Sequence, residues 1–436
     1  MRMNPTSDRT RVLIVGAGLA GLSCAVTLVR EGCEVQLLEA SDGVGGRVRT
    51  DTQDGFLLDR GFQVLLPSYP EARKLLDYEE LKLESFYSGA LVRVGGRFHR
   101  IADPFQHPVD ALINMLSPTS SLQDKLRIAE LRRSVMNAEV EDLFLRKETT
   151  TASALKARGF SPAFIEHFFR PFLGGVFLER ELSTSSRMFE FVFRMFAEGG
   201  AALPALGMSS IPEQLALKLP NGTIRLGRRA EAVDSGVVVL DSGERLEADA
   251  VVLAVDAALA SKLLGQASPP AQRSAVCLYF RAEEPPIQAP ILVLNGEGRG
   301  PINNLCIPSQ VAPMYAPPDA SLVSVSVVGH EHVSKDASSD NDETLLTSVK
   351  TQLVDWFGEG AARWQHLRTY RIAHAFPEQS RVSLCTQQMT RTQRMGVYVC
   401  GDYLDTSSIN GALRSGRLAA ETLLEDKTHG MRHRAA

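Results

Sequence analysis

The sequence predicts an α/β protein of more than one folded unit, with a helical insertion. Three observations carry this. Residues 11–39 read as strand, glycine-rich turn, helix and strand. Strand texture then gives way to long helical patterns, dense in phenylalanine, from about Pro104 to Phe196. A second pattern of strand, glycine and helix closes the chain from Gly396. With 436 residues, 44% hydrophobic and 22% charged, the chain has length for two or three folded units, and its composition is not that of a disordered chain or a fibre.

Arg11-Val-Leu-Ile-Val15 is a short apolar run that ends in glycine, the pattern of a buried parallel strand. Leu19 to Glu31 carries helix formers and stops at Gly32, and Glu34 to Glu39 is the next strand, so the unit is a right-handed βαβ. Val12 to Val29 is 18 residues without a charge, near the lower limit of a membrane span, but glycines 16, 18 and 21 interrupt it and a strand-turn-helix accounts for it better. Gly55 to Leu66 reads as extended up to Pro67. The helical stretch includes Ser121 to Val140 and Ser161 to Phe169. After the Asn221-Gly222 turn, strands Gly236 to Leu240 and Ala250 to Val255 flank a turn at Asp241-Ser-Gly-Glu244. Arg273 to Arg281, Ile291 to Leu294 and Ser321 to Gly329 belong to a second sheet. A helix over Glu343 to Phe357 follows, then a strand Gly396 to Cys400, a helix Ile409 to Asp426 and a disordered tail from Lys427.

Charge and cysteine usage exclude whole function classes. Lys and Arg number 47 against 51 Asp and Glu, a net −4, so there is no basic field for nucleic acid. Six cysteines at 24, 33, 277, 306, 385 and 400 form no C-x-x-C pair, which predicts a reduced, cytoplasmic protein without structural zinc. Met1 to Arg11 lacks the order of charge, apolar run and cleavage site of a signal peptide. No transmembrane segment is expected, and peripheral contact with a membrane stays open. His330 and His332 flank Glu331 without a third ligand, so no metal site is expected.

Gly16-Ala-Gly18-Leu-Ala-Gly21 is G-x-G-x-x-G in its full context: it follows a strand, opens a helix, and has Glu39 at the end of the next strand. Gly16 permits the tight turn, Gly18 lets the backbone approach a pyrophosphate, and Gly21 lets helix and strand pack closely. Leu19 and Ala20 open the helix whose free N–H groups meet the phosphates. Glu39, followed by Ala40, accepts from ribose hydroxyls and repels a 2′-phosphate. A second loop, Gly43-Val-Gly45-Gly46-Arg47, adds N–H groups and a guanidinium on the other side of the pyrophosphate, which favours FAD over NAD.

With these residues in place, the sequence resembles the glutathione-reductase-type flavoproteins of the amine oxidase and phytoene desaturase group. The matching residues are Gly16-x-Gly18-x-x-Gly21, Glu39, Gly45-Gly46-Arg47-Val-Arg49-Thr50, Asp59-Arg-Gly61-Phe62-Gln63, and near the end Gly401-Asp402, Ser408-Ile409-Asn410-Gly411-Ala412 and Ser415-Gly416. The likeness is strong over the first 70 residues and the last 40, and weaker between. It implies a discontinuous Rossmann-like FAD-binding domain (residues 1–95, 200–265 and 385–436) and a substrate domain of a mixed β-sheet (96–199 and 266–384) with a helical lobe over 104–199. It further implies that Glu39 binds the ribose, Arg47 the phosphate side, Val233 the adenine through its backbone, and Asp402 the ribityl chain or pyrophosphate. The amides around Ile409 to Ala412 would face the flavin pyrimidine edge, where a helix N-terminus also favours the negative charge of a reduced ring. No cysteine stands in the C-terminal attachment context, so the FAD is expected to be non-covalent.

In such flavoproteins the substrate loses a hydride to the flavin, and the protein positions the C–H bond and excludes water. Gly296-Glu-Gly298-Arg-Gly300 is followed by Pro301 and no helix, so a separate nicotinamide site is not expected and the electron acceptor is oxygen, a quinone or another protein. Two departures from the amine oxidases stand out. The strand Ala275 to Tyr279 lacks their lysine, and Ser407-Ser408 replaces the aromatic of their substrate cage. Phenylalanines 160, 164, 168, 169, 172, 177, 189, 191, 193 and 196 either form the lobe's own core or line a tunnel for an apolar, isoprenoid-like substrate. Gln63 and Arg170 are the candidate catalytic residues. The resulting expectation is an FAD-dependent oxidoreductase that removes a hydride from an apolar small molecule, as a desaturase or dehydrogenase of isoprenoid or carotenoid type. The alternatives are an amine oxidase with an atypical site, a redox-neutral isomerase using reduced FAD, and a flavin-bound binding factor without turnover.

Overall fold

The computed structural model describes residues 9–102, 121–266, 271–329 and 339–435. Its first sheet has five strands, all parallel, in the order Val397–Val399, Ala250–Leu253, Arg11–Val15, Glu34–Leu38, Ile224–Arg225. A parallel sheet covered on both faces needs strands that are apolar throughout. Ala250–Leu253 is buried at every position, which is why it leaves the hairpin expected for it and inserts beside Arg11–Val15. The turn at Asp241–Glu244 instead joins Val237–Leu240 to Arg245–Glu247, in a three-stranded antiparallel sheet with Ala230–Asp234. The opening, middle and closing segments of the chain therefore meet in one unit. The helix Leu19–Arg30 packs against the closing helix Ile409–Ala435, closely enough that a Cβ at Gly416 would lie 2.0 Å from the Ala20 carbonyl oxygen. That closing helix continues through Lys427 to Ala435 instead of ending in a loose tail, because nothing after Asp426 removes a backbone donor and Thr428 Oγ1 bonds back to the Leu424 carbonyl at 2.9 Å.

The second sheet has seven strands, in the order Gln365–Pro377, Gln272–Ala282, Ser321–Val328, Ile302–Cys306, Leu292–Leu294, Gly89–Val94, Arg97–Ala102. Leu292–Leu294 runs parallel to Gly89–Val94 and every other pair is antiparallel, so the sheet is mixed. Gly89–Val94 enters this sheet ahead of residue 95, through a hairpin that turns at Gly95-Gly96, both at positive φ.

The described part of the lobe begins at Ser121, whose hydroxyl and Asp124 form a capping box for the helix Leu122–Met136. The helical segment expected over Ser161–Phe169 changes pitch on the way. A short turn Pro162–Phe164 opens into a wider π turn at Ile165–Phe169 and continues as Arg170–Phe177. Pro171 brings no N–H to the ladder, which accounts for the widening. The consequence is a stack on one side: Phe164 to Phe168 at 5.1 Å and Phe168 to Phe172 at 5.6 Å, with rings within 11° of parallel.

Candidate active site

The glycine-rich turn is built by close backbone approach. Gly16 has φ +105°, and a Cβ there would lie 2.5 Å from the Ala254 carbonyl oxygen. A Cβ at Gly21 would lie 2.0 Å from the Gly16 carbonyl oxygen, so Gly21 serves helix-to-strand packing and does not face the cavity. Gly18 differs from both. Its φ of −71° suits any residue, and a Cβ on it meets no protein atom within 4 Å. Gly18 instead borders a cavity of about 1010 Å³ together with Gly16, Leu19, Ala20, Glu39, Ala40, Gly45, Gly46 and Arg47. The second glycine loop lies directly on the first: Gly45 N–H donates to the Ala17 carbonyl at 2.8 Å, and a Cβ at Gly46 would approach Gly18 Cα to 3.3 Å. Glu39 ties the loops as well as edging the cavity, accepting from Ala17 N–H and Ser41 N–H, each at 2.8 Å.

Arg47 joins the front of the chain to its end. Nη2 meets Asp402 Oδ1 at 2.6 Å and Nη1 donates to the Ala375 carbonyl at 3.0 Å. Gln63 Nε2 donates to the Arg47 carbonyl at 2.8 Å, and Gly61, Phe62 and Gln63 all border the cavity. Gly401, Asp402, Ser408, Ile409 and Ala412 border it from the closing segment, where the helix Ile409–Ala435 presents its N-terminus. Ser407, 4% exposed, also borders the cavity, and its Oγ finds no hydrogen-bond partner among the described residues. An orphaned buried hydroxyl beside a helix N-terminus, and a glycine whose missing side chain leaves room in the cavity and nowhere else, fit the pyrimidine edge and pyrophosphate of an FAD.

Three expected contacts lie elsewhere. Asn410 turns away and accepts from Glu71 N–H at 2.9 Å. Val233 is buried in the core beside the three-stranded sheet with its carbonyl taken by Arg394, and Arg229 and Ala230 border the cavity in its place. Arg170 is held by Glu166 at 2.6 Å and by the Arg180 carbonyl, outside the cavity. His330, Glu331 and His332 lie outside the described residues.

Toward the lobe the cavity becomes apolar. Phe164, Phe168, Phe172, Phe193 and Phe196 line it, while Phe160, Phe169, Phe177, Phe189 and Phe191 are buried away from it. The phenylalanine cluster therefore divides into rings that line the cavity and rings that form the lobe's own core. The cavity is also lined by a row of strand residues to which the sequence reading gave no site role: Asn304, Ser326, Cys277 and Tyr370. A signal existed, since Cys277 and Ser326 interrupt apolar strands and Asn is disfavoured in strands. Burial pushes the Cys277 thiol up to about 11, so it stays protonated at neutral pH. Burial likewise pushes Tyr370 up to about 12, and its OH donates to Asp51 at 2.7 Å. The carboxylates on the cavity wall are all engaged: Glu39 as above, Asp402 with Arg47, and Asp256 capping Ala258 and Leu259. Behind the wall, burial pushes Asp59 up to about 6 against hydrogen bonds from Thr50, Met208 N–H and Tyr315.

A family model described as flavin containing amine oxidoreductase matches residues 19–424. The chain belongs to that family. Within it, a 4,4′-diapolycopene oxygenase of Methylomonas sp is 39% identical over 84 residues, 18% of this chain and 17% of that protein. A putrescine oxidase of Kocuria rosea is 48% identical over 81 residues, 19% of this chain and 16% of that one. These matches thus span under a fifth of either relative's length. An oxidoreductase from Methanosarcina mazei of known structure superposes with a TM-score of 0.69 over 95% of this chain and all of that one at 18% identity, a likeness of fold. This flavin oxidoreductase-family chain shares with it the mixed α/β architecture of a parallel sheet beside a larger mixed sheet. No helix among its described residues is long and apolar enough to cross a membrane.

Proposed function

We propose that this chain is an FAD-dependent oxidoreductase that holds its FAD without a covalent bond and takes a hydride from an apolar small molecule, as a dehydrogenase or desaturase. The observation that carries the reading is the stack of Phe164, Phe168 and Phe172 on a cavity continuous with the Gly18 loop. The site lies between the discontinuous FAD-binding domain and the substrate domain. Gly18, Glu39, Gly45, Gly46 and Arg47 would hold the pyrophosphate and ribose, and the Ser407 to Ala412 segment the ring. When bound, FAD supplies the two-electron chemistry by accepting the hydride and passing electrons to oxygen, a quinone or another protein.

The chain's own part is binding, orientation and exclusion of water. The phenylalanine wall removes apolar surface from water, at about 25 cal/mol per Å². Cys277, the cysteine on the cavity wall, is a protonated thiol, which favours non-covalent FAD. An amine substrate fits less well, because every carboxylate on the wall already has partners and serines 407 and 408 replace the aromatic. Anaerobic mixing of the yellow protein with isoprenoid alcohols and polyenes is expected to bleach the flavin's visible band. Bleaching by primary amines, with none by any apolar compound, sinks the reading.

A further inference from the structure

The polar row in the cavity lining is set by strand register. Asn304 faces Ser326 across one strand pair, Ser326 faces Cys277 across the next, and Cys277 faces Tyr370 across the third. Directly opposed residues in a sheet share a face, and all four border the cavity. Cys277 and Tyr370 are already engaged, the thiol with Ser324 Oγ at 3.5 Å and the phenol with Asp51 at 2.7 Å. Asn304 and Ser326 are not engaged in the same way.

The orientation of the Asn304 amide is fixed by its neighbour. One Asn303 side-chain atom lies 2.9 Å from the Pro171 carbonyl oxygen, which only accepts, so that atom is Nδ2. The same nitrogen reaches Asn304 at 2.9 Å, so the Asn304 atom there is Oδ1. Asn304 Nδ2 is left as the free end, donating to no atom of the described residues, on a residue only 3% exposed. Space for the amide is kept by Gly175 of the phenylalanine-bearing helix, where a Cβ would come within 2.8 Å of Asn304 Oδ1. Ser326 Oγ, next in the row, also bonds to no atom of the described residues, and Ser326 is half-buried. Both groups border the cavity, where each can bond to a ligand, a hydrogen bond worth about 0.5–1.5 kcal/mol.

We propose that Asn304 and Ser326 anchor one polar group of the substrate, and that this group is a neutral oxygen, a hydroxyl or carbonyl, on an otherwise apolar skeleton. The inference rests on the apolar-substrate reading above and narrows it, from a pure hydrocarbon to an oxygenated one. The row itself offers an amide and a hydroxyl and no cation, so it matches a neutral oxygen; a buried carboxylate would need a paired charge. A site built to hydrogen-bond an oxygen rejects the analogue that lacks it, because its own polar groups are then left unpaired.

The test uses three probes on one skeleton, farnesene, farnesol and farnesoate, titrated into the FAD-loaded protein and followed by the change in flavin absorbance. Farnesol is expected to bind about tenfold tighter than farnesene. Asn304→Leu should bring the two within about twofold by weakening farnesol alone, since Asn303 keeps its bond to Pro171. Ser326→Ala, a milder change that decides the matter if the leucine variant does not fold, should cost farnesol about threefold. Equal binding of farnesol and farnesene overturns the anchor while leaving the apolar reading standing, as does a farnesol preference that survives Ser326→Ala unchanged. Tightest binding of farnesoate overturns the neutral oxygen. Failure of all three probes to bind removes the apolar reading itself, and the anchor with it.

Discussion

At the Gly18 end of the cavity the wall is main chain: Gly45 N–H on the Ala17 carbonyl, Glu39 on two further N–H groups, and Gly46 set against Gly18. At the Asn304 end it is side chain: stacked phenylalanines from the lobe and a polar row drawn from four strands. The first end is built mostly within residues 11–50, with Ala254 backing Gly16 and Asp402 holding Arg47. The second gathers residues from position 164 to position 370 and exists only when sheet and lobe are packed. Backbone cradles suit a group common to many proteins, such as a pyrophosphate, whereas side-chain walls can be changed ring by ring to suit one substrate.

The sharpest way to separate the ends is Gly18→Val. A Cβ there meets no atom of the described residues within 4 Å, so the fold should survive while flavin is lost completely. The ratio of visible to protein absorbance after purification, read beside circular dichroism, checks it; a fully yellow variant overturns the pyrophosphate assignment. At the other end, Phe169 and Phe172 should diverge. Phe169 is fully buried, and Phe169→Ala should lose about 3–5 kcal/mol of unfolding free energy. Phe172 borders the cavity, so Phe172→Ala should lose clearly less stability and weaken farnesol binding instead. Equal losses in denaturant titrations would erase the distinction between core and wall.

Asp59 tests the scaffold between the two ends. Its carboxyl ordinarily releases its proton near 3.8 and in the folded chain does so at about 6. Between those values the native state binds more protons than the unfolded one. Its stabilising contribution is therefore complete below the lower value and is lost as pH rises through the upper. At about 1.4 kcal/mol per unit, that fall amounts to about 3 kcal/mol. Asp59→Asn should flatten melting temperature against pH across this window; an unchanged slope assigns the pH dependence to other groups. Ser407→Ala is the smallest change. It should weaken FAD binding by about 1 kcal/mol and shift the flavin spectrum, while the FAD-free protein is no less stable. An unaltered spectrum and affinity would mean that the hydroxyl does not meet the ring.

Local chemistry explains which site residues were legible. Gly21, Glu39 and Gly45 could be placed because each bonds or packs within the opening βαβ unit and its next loop, whereas the partners of Arg47, Asp402 and the Ala375 carbonyl, come from the far end of the chain. Val233 could not, since Arg394 takes its carbonyl across 161 residues; Arg170 is held by Glu166 one helical turn away, a local pair that the sequence reading passed over. The lobe's phenylalanines were visible as a cluster, but their division into core and wall follows from the π turn beside Pro171.

By itself, the order of residues determined a βαβ unit with a glycine-rich turn, a second sheet and a helical lobe. Short-range periodicity, glycine spacing and charge are properties of neighbouring residues, so the chain displays them before it folds. Only the tertiary structure decided that Ala250–Leu253 joins the parallel sheet, that Gly89–Val94 enters the mixed one, and that Asn304, Ser326, Cys277 and Tyr370 form one row. Strand pairing across long stretches of chain is selected by burial and register, which are properties of the packed whole.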